Sequence, residues 1–312
     1  MALCDFQSHF DAMTLDFIQQ LRHFILLRCI IARMIQNQQL NHYLTAWKLS
    51  TPQLLTQTVT SDIFTVIHGT ETVILKLLSP SETDEQRGAL ALRYFDGHGA
   101  VRLLRHDNGA QLIEYASGVE LVTLAERGQD ANATRIIAQV IQQLHSVPQD
   151  APYDGLITLN RWFGDLFSQA ASDRQAGFES IYVRAAPLAE KLLADSREVR
   201  VLHGDIHHYN IRQSPRGWLA FDPKGLVGER TYDCANTLCN PGISELVHNE
   251  TRLLNHAAIL ADMLKIDLSR LLAFTYAYAC LNASRHVRLH NDEVVQWFLK
   301  VAVMIEPHLP RL

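Results

Sequence analysis

The chain lacks the short signatures by which several enzyme classes announce themselves. It has no GxxxxGK[ST] loop and no GxGxxG after a strand, so the P-loop and dinucleotide-binding folds have no support. No G-x-S-x-G elbow occurs, which removes the usual serine-nucleophile hydrolase. Cysteine is scarce: Cys4, Cys29, Cys234, Cys239 and Cys280 form an odd, scattered set without a CxxC pair. That pattern argues against a disulfide framework and fits reduced thiols in a cytoplasm. A basic start followed by a small-residue cleavage site is missing, so no secretory signal is expected. Basic excess is missing too. A formal net charge of -5 argues against nucleic acid as a partner, because phosphate neutralisation needs a basic surface. There is no internal repeat and no low-complexity tract.

What is present is ordinary globular material. With 47% hydrophobic and 20% charged residues, the 312-residue chain can build a sizeable core in one large domain or two packed lobes. One apolar run stands out, residues 17–35, FIQQLRHFILLRCIIARMI. Arg22, Arg28 and Arg33 lie inside it, and each arginine near a bilayer centre costs roughly 2.5–3.5 kcal/mol. Stable membrane insertion is therefore not expected. A buried helix, or one that joins a second copy of the chain into a homo-oligomer, accounts for it better.

Residues 1–45 read as a helical N-terminal extension ending in the polar run Gln36–Gln39. From Trp47 the pattern changes. Residues 56–66 and 72–78 are β-branched and apolar with a turn at His68-Gly69-Thr70, which predicts a hairpin carrying Lys76 on its second strand. Ser81 can cap a helix from about Glu82 to Phe95. A strand over 111–116 precedes Ser117-Gly118, and helical periodicity then dominates: 131–145, 159–171, 178–193 and from 245 to the end, with Leu271–Leu281 buried. Short strands interrupt it at 200–202 and 218–221. The expectation is a two-lobed α+β protein with a strand-rich lobe over 46–118 and a mainly helical lobe over 119–312.

The strongest local signal is His203-Gly204-Asp205-Ile206-His207-His208-Tyr209-Asn210, followed by Phe221-Asp222-Pro223. Phosphoryl transfer from ATP needs a carboxylate to take the acceptor's proton, and oxygen ligands to hold Mg²⁺ against the phosphates. An Asp and an Asn five residues apart on one tight loop can face one cleft, with a second carboxylate on the next short strand. Asp205 is then the catalytic base, and Asn210 and Asp222 hold metal. Lys76, a lone lysine on an inner strand, would meet the α/β-phosphates, steadied by Glu85 or, in another helix register, by Glu82. His203 and His207 stand four apart, a zinc-like spacing, but the intervening Gly204-Asp205-Ile206 suits a loop better than a zinc-binding helix.

HGDIHHYN followed by FDPKGLVGERTYD resembles the aminoglycoside phosphotransferase superfamily, and most closely its streptomycin 6-kinase and hydroxyurea phosphotransferase family. The likeness runs from about Trp47 to Tyr278. It implies a bilobal protein-kinase-like fold with a small antiparallel sheet and a mainly helical second lobe. It also implies ATP and Mg²⁺ as cofactors, and a small-molecule acceptor such as streptomycin. By the same resemblance Glu114, Tyr115 and Ala116 form the hinge that meets adenine through its backbone. His203 braces the catalytic loop, Asp233 ties that loop down, and Ser61 lies in the turn that covers the phosphates. No glycine-rich loop precedes Gly69, which weakens the Ser61 assignment.

The acceptor is less legible. A guanidinium-bearing substrate calls for carboxylates, yet acidic and basic residues nearly balance over 150–312. Asp165, Glu179, Glu229, Asp292 and Glu293 are candidates with nothing to gather them into one cleft. Lys224, directly after Asp222-Pro223, sits badly beside a cation and suits phosphates or an anionic acceptor. A housekeeping kinase for a sugar, amino alcohol or amino acid is the alternative enzyme. A catalytically silent binding protein is the alternative outside enzymes.

Overall fold

The computed structural model describes residues 37–58, 60–79, 83–148 and 154–309. The apolar run over 17–35, with the oligomer role expected of it, lies outside them. No helix among the described residues is long and apolar enough to cross a membrane.

The small lobe begins with helix α1, residues 37–46. Strands β1 (Leu49–Gln57), β2 (Ser61–His68), β3 (Glu71–Leu78), β4 (Leu103–His106) and β5 (Ala110–Glu114) form a five-stranded antiparallel sheet in the order β1-β2-β3-β5-β4. Helix α2 (Thr83–Phe95) connects β3 to β4. The single strand expected over 56–66 is two strands. Its β-branched run hides a turn, in which the Thr58 hydroxyl accepts the N–H of Ser61 at 3.0 Å.

Alternation along β3 decides what faces the site. Val73, Leu75 and Leu77 point to one side, where they pack with Phe64, Leu112 and, from α1, Tyr43 and Trp47. Ile74 and Lys76 point to the other, toward a cavity between the lobes. With both faces covered, β3 reads as a continuous apolar run and not as a half-buried strand. The boundary expected at residue 46 therefore falls inside the lobe. Residues that read as the end of a helical extension are sheet-covering: Gln39 Nε2 donates to the Gly109 carbonyl at 2.9 Å, and the Tyr43 hydroxyl donates to Asp107 Oδ1 at 2.6 Å.

The large lobe opens with α3 (Val122–Glu126) and α4 (Asp130–Leu144). Strand β6 (Ile157–Thr158), α5 (Leu159–Trp162), α6 (Gly164–Gln175) and α7 (Ile181–Ala194) follow. The helix expected over 159–171 is thus broken at Phe163. Strands β7 (Val199–Leu202) and β10 (Leu226–Glu229) complete a three-stranded sheet with β6, and β8 (Ile211–Ser214) pairs with β9 (Gly217–Ala220) as a hairpin. A 3₁₀ turn, Arg230–Cys234, runs into α8 (Ala235–Leu238), followed by α9 (Ser244–Val247), α10 (Glu250–Leu264), α11 (Leu268–Arg288) and α12 (Asp292–Ile305). Helix α11 is the axis of this lobe, with every residue from Leu271 to Leu281 buried. Asp267 caps it, accepting the Arg270 N–H at 2.8 Å.

Two contacts fix how the lobes meet. Arg216, on the β8–β9 turn, donates to the Gly97 and Ala100 carbonyls at 2.9 and 3.1 Å and pairs with Glu114. Gly88 in α2 packs on the Pro223 carbonyl so closely that a Cβ there would stand 2.5 Å from that oxygen. This close approach explains a glycine inside a helix.

Because Tyr43 is 7% exposed and holds Asp107, Tyr43→Ala should destabilise the protein by about 3–5 kcal/mol. Tyr43→Phe should cost only about 1 kcal/mol. Urea denaturation reads both, and an unchanged midpoint in the alanine variant would exclude α1 from the lobe's core.

Candidate active site

The loop from His203 to Asn210 joins β7 to β8, and its first two backbone N–H groups are held by one carboxylate. Asp233, 2% exposed in the 3₁₀ turn, accepts the His203 N–H at 3.1 Å and the Gly204 N–H at 2.7 Å. His145 Nε2, at the end of α4, meets the same carboxylate at 2.9 Å. Gly204 has φ of +80°, and a Cβ there would stand 2.8 Å from Leu226 Cδ1. Only glycine makes this turn at low cost.

His203 is fully buried. Its Nδ1 accepts the Asp205 N–H at 3.3 Å, so the ring proton belongs on Nε2, which lies 3.0 Å from the Phe221 carbonyl. Burial lowers its pKa, which keeps the ring neutral in this role. His203 thus clamps the loop to the end of β9 through both ring nitrogens.

The chemistry-bearing groups converge beyond this clamp. Asn210 Nδ2 donates to the Asp205 carbonyl at 3.0 Å and to Asp205 Oδ2 at 3.3 Å. Asn236 Nδ2 donates to Asp205 Oδ1 at 2.7 Å. The β8–β9 hairpin starts right after Asn210, and the Phe221 N–H returns to the Asn210 carbonyl at 3.0 Å. Asp222 therefore emerges beside the loop, with a left-handed φ of 61°. Lys76 Nζ donates to Asp222 Oδ1 at 2.6 Å across the lobes. Lys224 Nζ sits 3.5 Å from Asp205 Oδ2 and 4.0 Å from Asp222 Oδ2. Burial alone would raise the Asp222 pKa, but Lys76 and Lys224 outweigh it and hold the carboxyl below its ordinary range.

A cavity of about 660 Å³ opens between the lobes next to this cluster. Ile74, Leu92, Val101, Ile113 and Phe221 give it apolar walls, while Lys76, Asp222 and Lys224 line its polar end. Ser61 lines it too. It is the first residue of β2, just past the turn, with its hydroxyl 3.1 Å from that of Thr58. Glu114, Tyr115 and Ala116 border the cavity as expected. The Glu114 carboxylate itself is occupied by Arg216 and by the Arg102 N–H at 3.0 Å. The Glu114 N–H is taken as well, by the Arg102 carbonyl at 2.9 Å.

Other expectations fare differently. The Glu85 side chain, and Glu82 altogether, lie outside the described residues. Among the acceptor candidates, Glu229 is 1% exposed and bound to Arg270, and Asp165 is taken by Arg285 and Arg288. Sequence counts such carboxylates as available charge, but internal arginines have already neutralised them. His208 does not pair with His203 or His207. It is buried with Nε2 3.5 Å from Asp130 Oδ1, in a cluster with Arg252 and His256. His145 and Asn236 went unnoticed in the sequence, since nothing local marks them.

Comparison with solved structures shows the fold. A thermostable mutant of aminoglycoside phosphotransferase APH(4)-Ia, in ternary complex with ADP and hygromycin B, superposes with a TM-score of 0.59 at 12% identity, covering 87% of this chain and 99% of that one. A choline/ethanolamine kinase family protein from Mesorhizobium loti gives 0.58 at 13% identity, covering 82% and 88%. The fold is the bilobal, protein-kinase-like one. Residues 46–289 match the family described as aminoglycoside/hydroxyurea antibiotic resistance kinase, and the chain belongs to that family, as a phosphotransferase. A streptomycin 3''-kinase of Klebsiella pneumoniae is 37% identical over 244 residues, 76% of this chain and 88% of the relative. A hydroxyurea phosphotransferase of Kitasatospora aureofaciens is 38% identical over 182 residues, 55% of this chain and 51% of the relative.

Acid should weaken the fold through its buried histidines. Burial pushes His207 and His256 down to about 4, so each stays neutral in the folded protein while the unfolded chain protonates. Their contribution is complete above roughly pH 6.5 and is lost as pH falls toward 4. The melting temperature should drop between pH 7.5 and 5, and drop less in His256→Asn; a flat profile would contradict these environments.

Proposed function

We propose that this kinase transfers the γ-phosphate of ATP to a hydroxyl of an aminoglycoside of the streptomycin class. One observation carries the reading: the Asp205 carboxylate, bonded by Asn210, stands 3.5 Å from Lys224, which with Lys76 and Asp222 lines the polar end of an interlobe cavity. Asp205 accepts the proton of the attacking hydroxyl. The new P–O bond forms as the bond from the γ-phosphorus to the bridging oxygen breaks, and ADP takes the leaving electron pair. Lys76 and Lys224 offset the phosphate charge. The backbone at Glu114–Ala116 meets the adenine, and the turn bearing Ser61 closes over the phosphates.

Asn210 and Asp222 suit Mg²⁺ by their chemistry, since both offer hard oxygens beside the base. Asp222 keeps its carboxylate 38% exposed despite its salt bridge, so it has room for a further partner. When bound, the ion offsets the negative charge of the phosphates. Asn210 positions its amide against Asp205, and Asp222 holds Lys76 in the cleft. The buried, unpaired thiols Cys234, Cys239 and Cys280 suit the reducing cytoplasm in which ATP is abundant.

Support for the acceptor comes from the relatives, three of which are named for streptomycin, one at position 3'' and two at position 6. Mass spectrometry tests the proposal: purified protein with MgATP and a panel of streptomycin, hydroxyurea, other aminoglycosides, sugars and amino alcohols. A phosphate-sized gain on streptomycin is expected, abolished in Asp205→Ala, with fragmentation reporting the position. Phosphorylation of an amino alcohol or sugar alone would replace this acceptor class. Undiminished transfer by Asp205→Ala would remove the base.

A further inference from the structure

Asn236, on α8, has no counterpart among the expected site residues, yet it makes the shortest hydrogen bond to the Asp205 side chain, 2.7 Å from Nδ2 to Oδ1. It is 6% exposed. An asparagine amide has two ends of one shape, so its neighbours must say which end faces the carboxylate. Asn240 does. Its Nδ2 donates to Asn236 Oδ1 at 2.9 Å and to the Asn236 carbonyl at 3.1 Å. With a donor fixed on the oxygen, only the NH₂ end is left for Asp205. Asn240 is itself held from behind, since Arg252 Nη2 donates to its carbonyl at 2.9 Å. Arg252 is anchored in turn on Asp130, with Nε 2.6 Å from Oδ2. Donation runs one way, from the Asn240 side chain through Asn236 to Asp205, while Arg252 and Asp130 hold the backbone carbonyl of Asn240 in place.

The place of Asn236 in the chain adds to this. It follows Asp233 by three residues, on the continuous segment where the 3₁₀ turn passes into α8. Asp233 fixes the backbone of the loop, and Asn236 fixes the side chain the loop carries. One rigid element thus sets both the position of the loop and the direction of its carboxylate. At the other oxygen the approaches are longer: Asn210 at 3.3 Å and Lys224 at 3.5 Å from Oδ2.

We infer that Asn236 is a positioning residue for phosphoryl transfer, pinning Oδ1 of Asp205 so that Oδ2 is the oxygen presented to the acceptor hydroxyl. The inference rests on the reading of Asp205 as the base. A carboxylate without this tether rotates away from the attack geometry, which lowers turnover and leaves ground-state binding alone.

The test is steady-state kinetics on Asn236→Ala, Asn236→Asp and Asp205→Ala, with MgATP and streptomycin or the panel compound that the wild type phosphorylates. Asn236→Ala should lower kcat roughly 10- to 100-fold, the scale of one hydrogen bond to a charged group, with both KM values within about twofold of wild type. Asn236→Asp keeps the shape but sets a second carboxylate against Asp205. The two must then share a proton, so the ascending limb of the pH profile should move to higher pH. A purely structural role would lower the melting temperature and leave that limb in place. Wild-type kcat in Asn236→Ala, with Asp205→Ala inactive, would overturn the positioning role and leave the base assignment standing. Turnover retained in Asp205→Ala would remove the base and this inference together. Should the alanine variant fail to fold, the isosteric Asn236→Asp decides, and an unshifted limb in it overturns the proposal.

Discussion

The site depends on one buried carboxylate that does no chemistry. A carboxylate stripped of water is strongly unfavourable unless donors surround it. Asp233 gathers two backbone N–H groups of the loop and a histidine ring from α4. Satisfying that charge forces the loop to cross at one place, with Gly204 at positive φ and His203 turned inward to clamp β9. Asp205 and Asn210 then have little freedom left. The sheet of β6, β7 and β10 and helix α11 serve as the frame that keeps Asp233 where those donors are.

The second constraint is the meeting of the lobes. Lys76 reaches Asp222 only because β3 is covered on its other face by α1, which sends alternate side chains toward the cleft. Gly88 against Pro223, and Arg216 against Glu114, fix the separation across which that ion pair closes. Lys76 comes from the small lobe and Asp205, Asp222 and Lys224 from the large one, and the cavity between the lobes is lined by Lys76, Asp222 and Lys224.

How much of this was legible in the sequence follows from range. Asp205, Asn210 and Asp222 were legible because a loop and one hairpin carry all three, so spacing alone brings them together. Lys76 was legible from its place in an apolar strand, and Asp233 through resemblance. Asn236 and His145 were not, because their partners lie 31 and 88 residues away in chain and only the packing of α4 and α8 supplies the contact. The fold shows the same division. Periodicity located β3, α2, α4 and α11. It ran two strands together at Thr58–Ser61, where β-branched residues conceal a side-chain-stabilised turn. It also set α1 apart from the sheet lobe as the end of a helical extension, since Gln39 looks solvated until its carbonyl partners are seen. Two of the carboxylates proposed for a cationic acceptor, Asp165 and Glu229, fail for the reverse reason: a sequence shows that Glu229 is charged, but not that Arg270 already holds it.

The central claim is a division of labour between two aspartates, with Asp205 acting on the acceptor and Asp222 on the nucleotide. Calorimetric titration of MgATP into the wild type, Asp205→Asn and Asp222→Asn tests it directly. Asp205→Asn should bind MgATP within about threefold of wild type, while Asp222→Asn should lose at least roughly tenfold, since one charge-assisted contact to the metal–phosphate assembly is removed. Equal losses in the two variants, or unchanged binding in Asp222→Asn, would contradict the account.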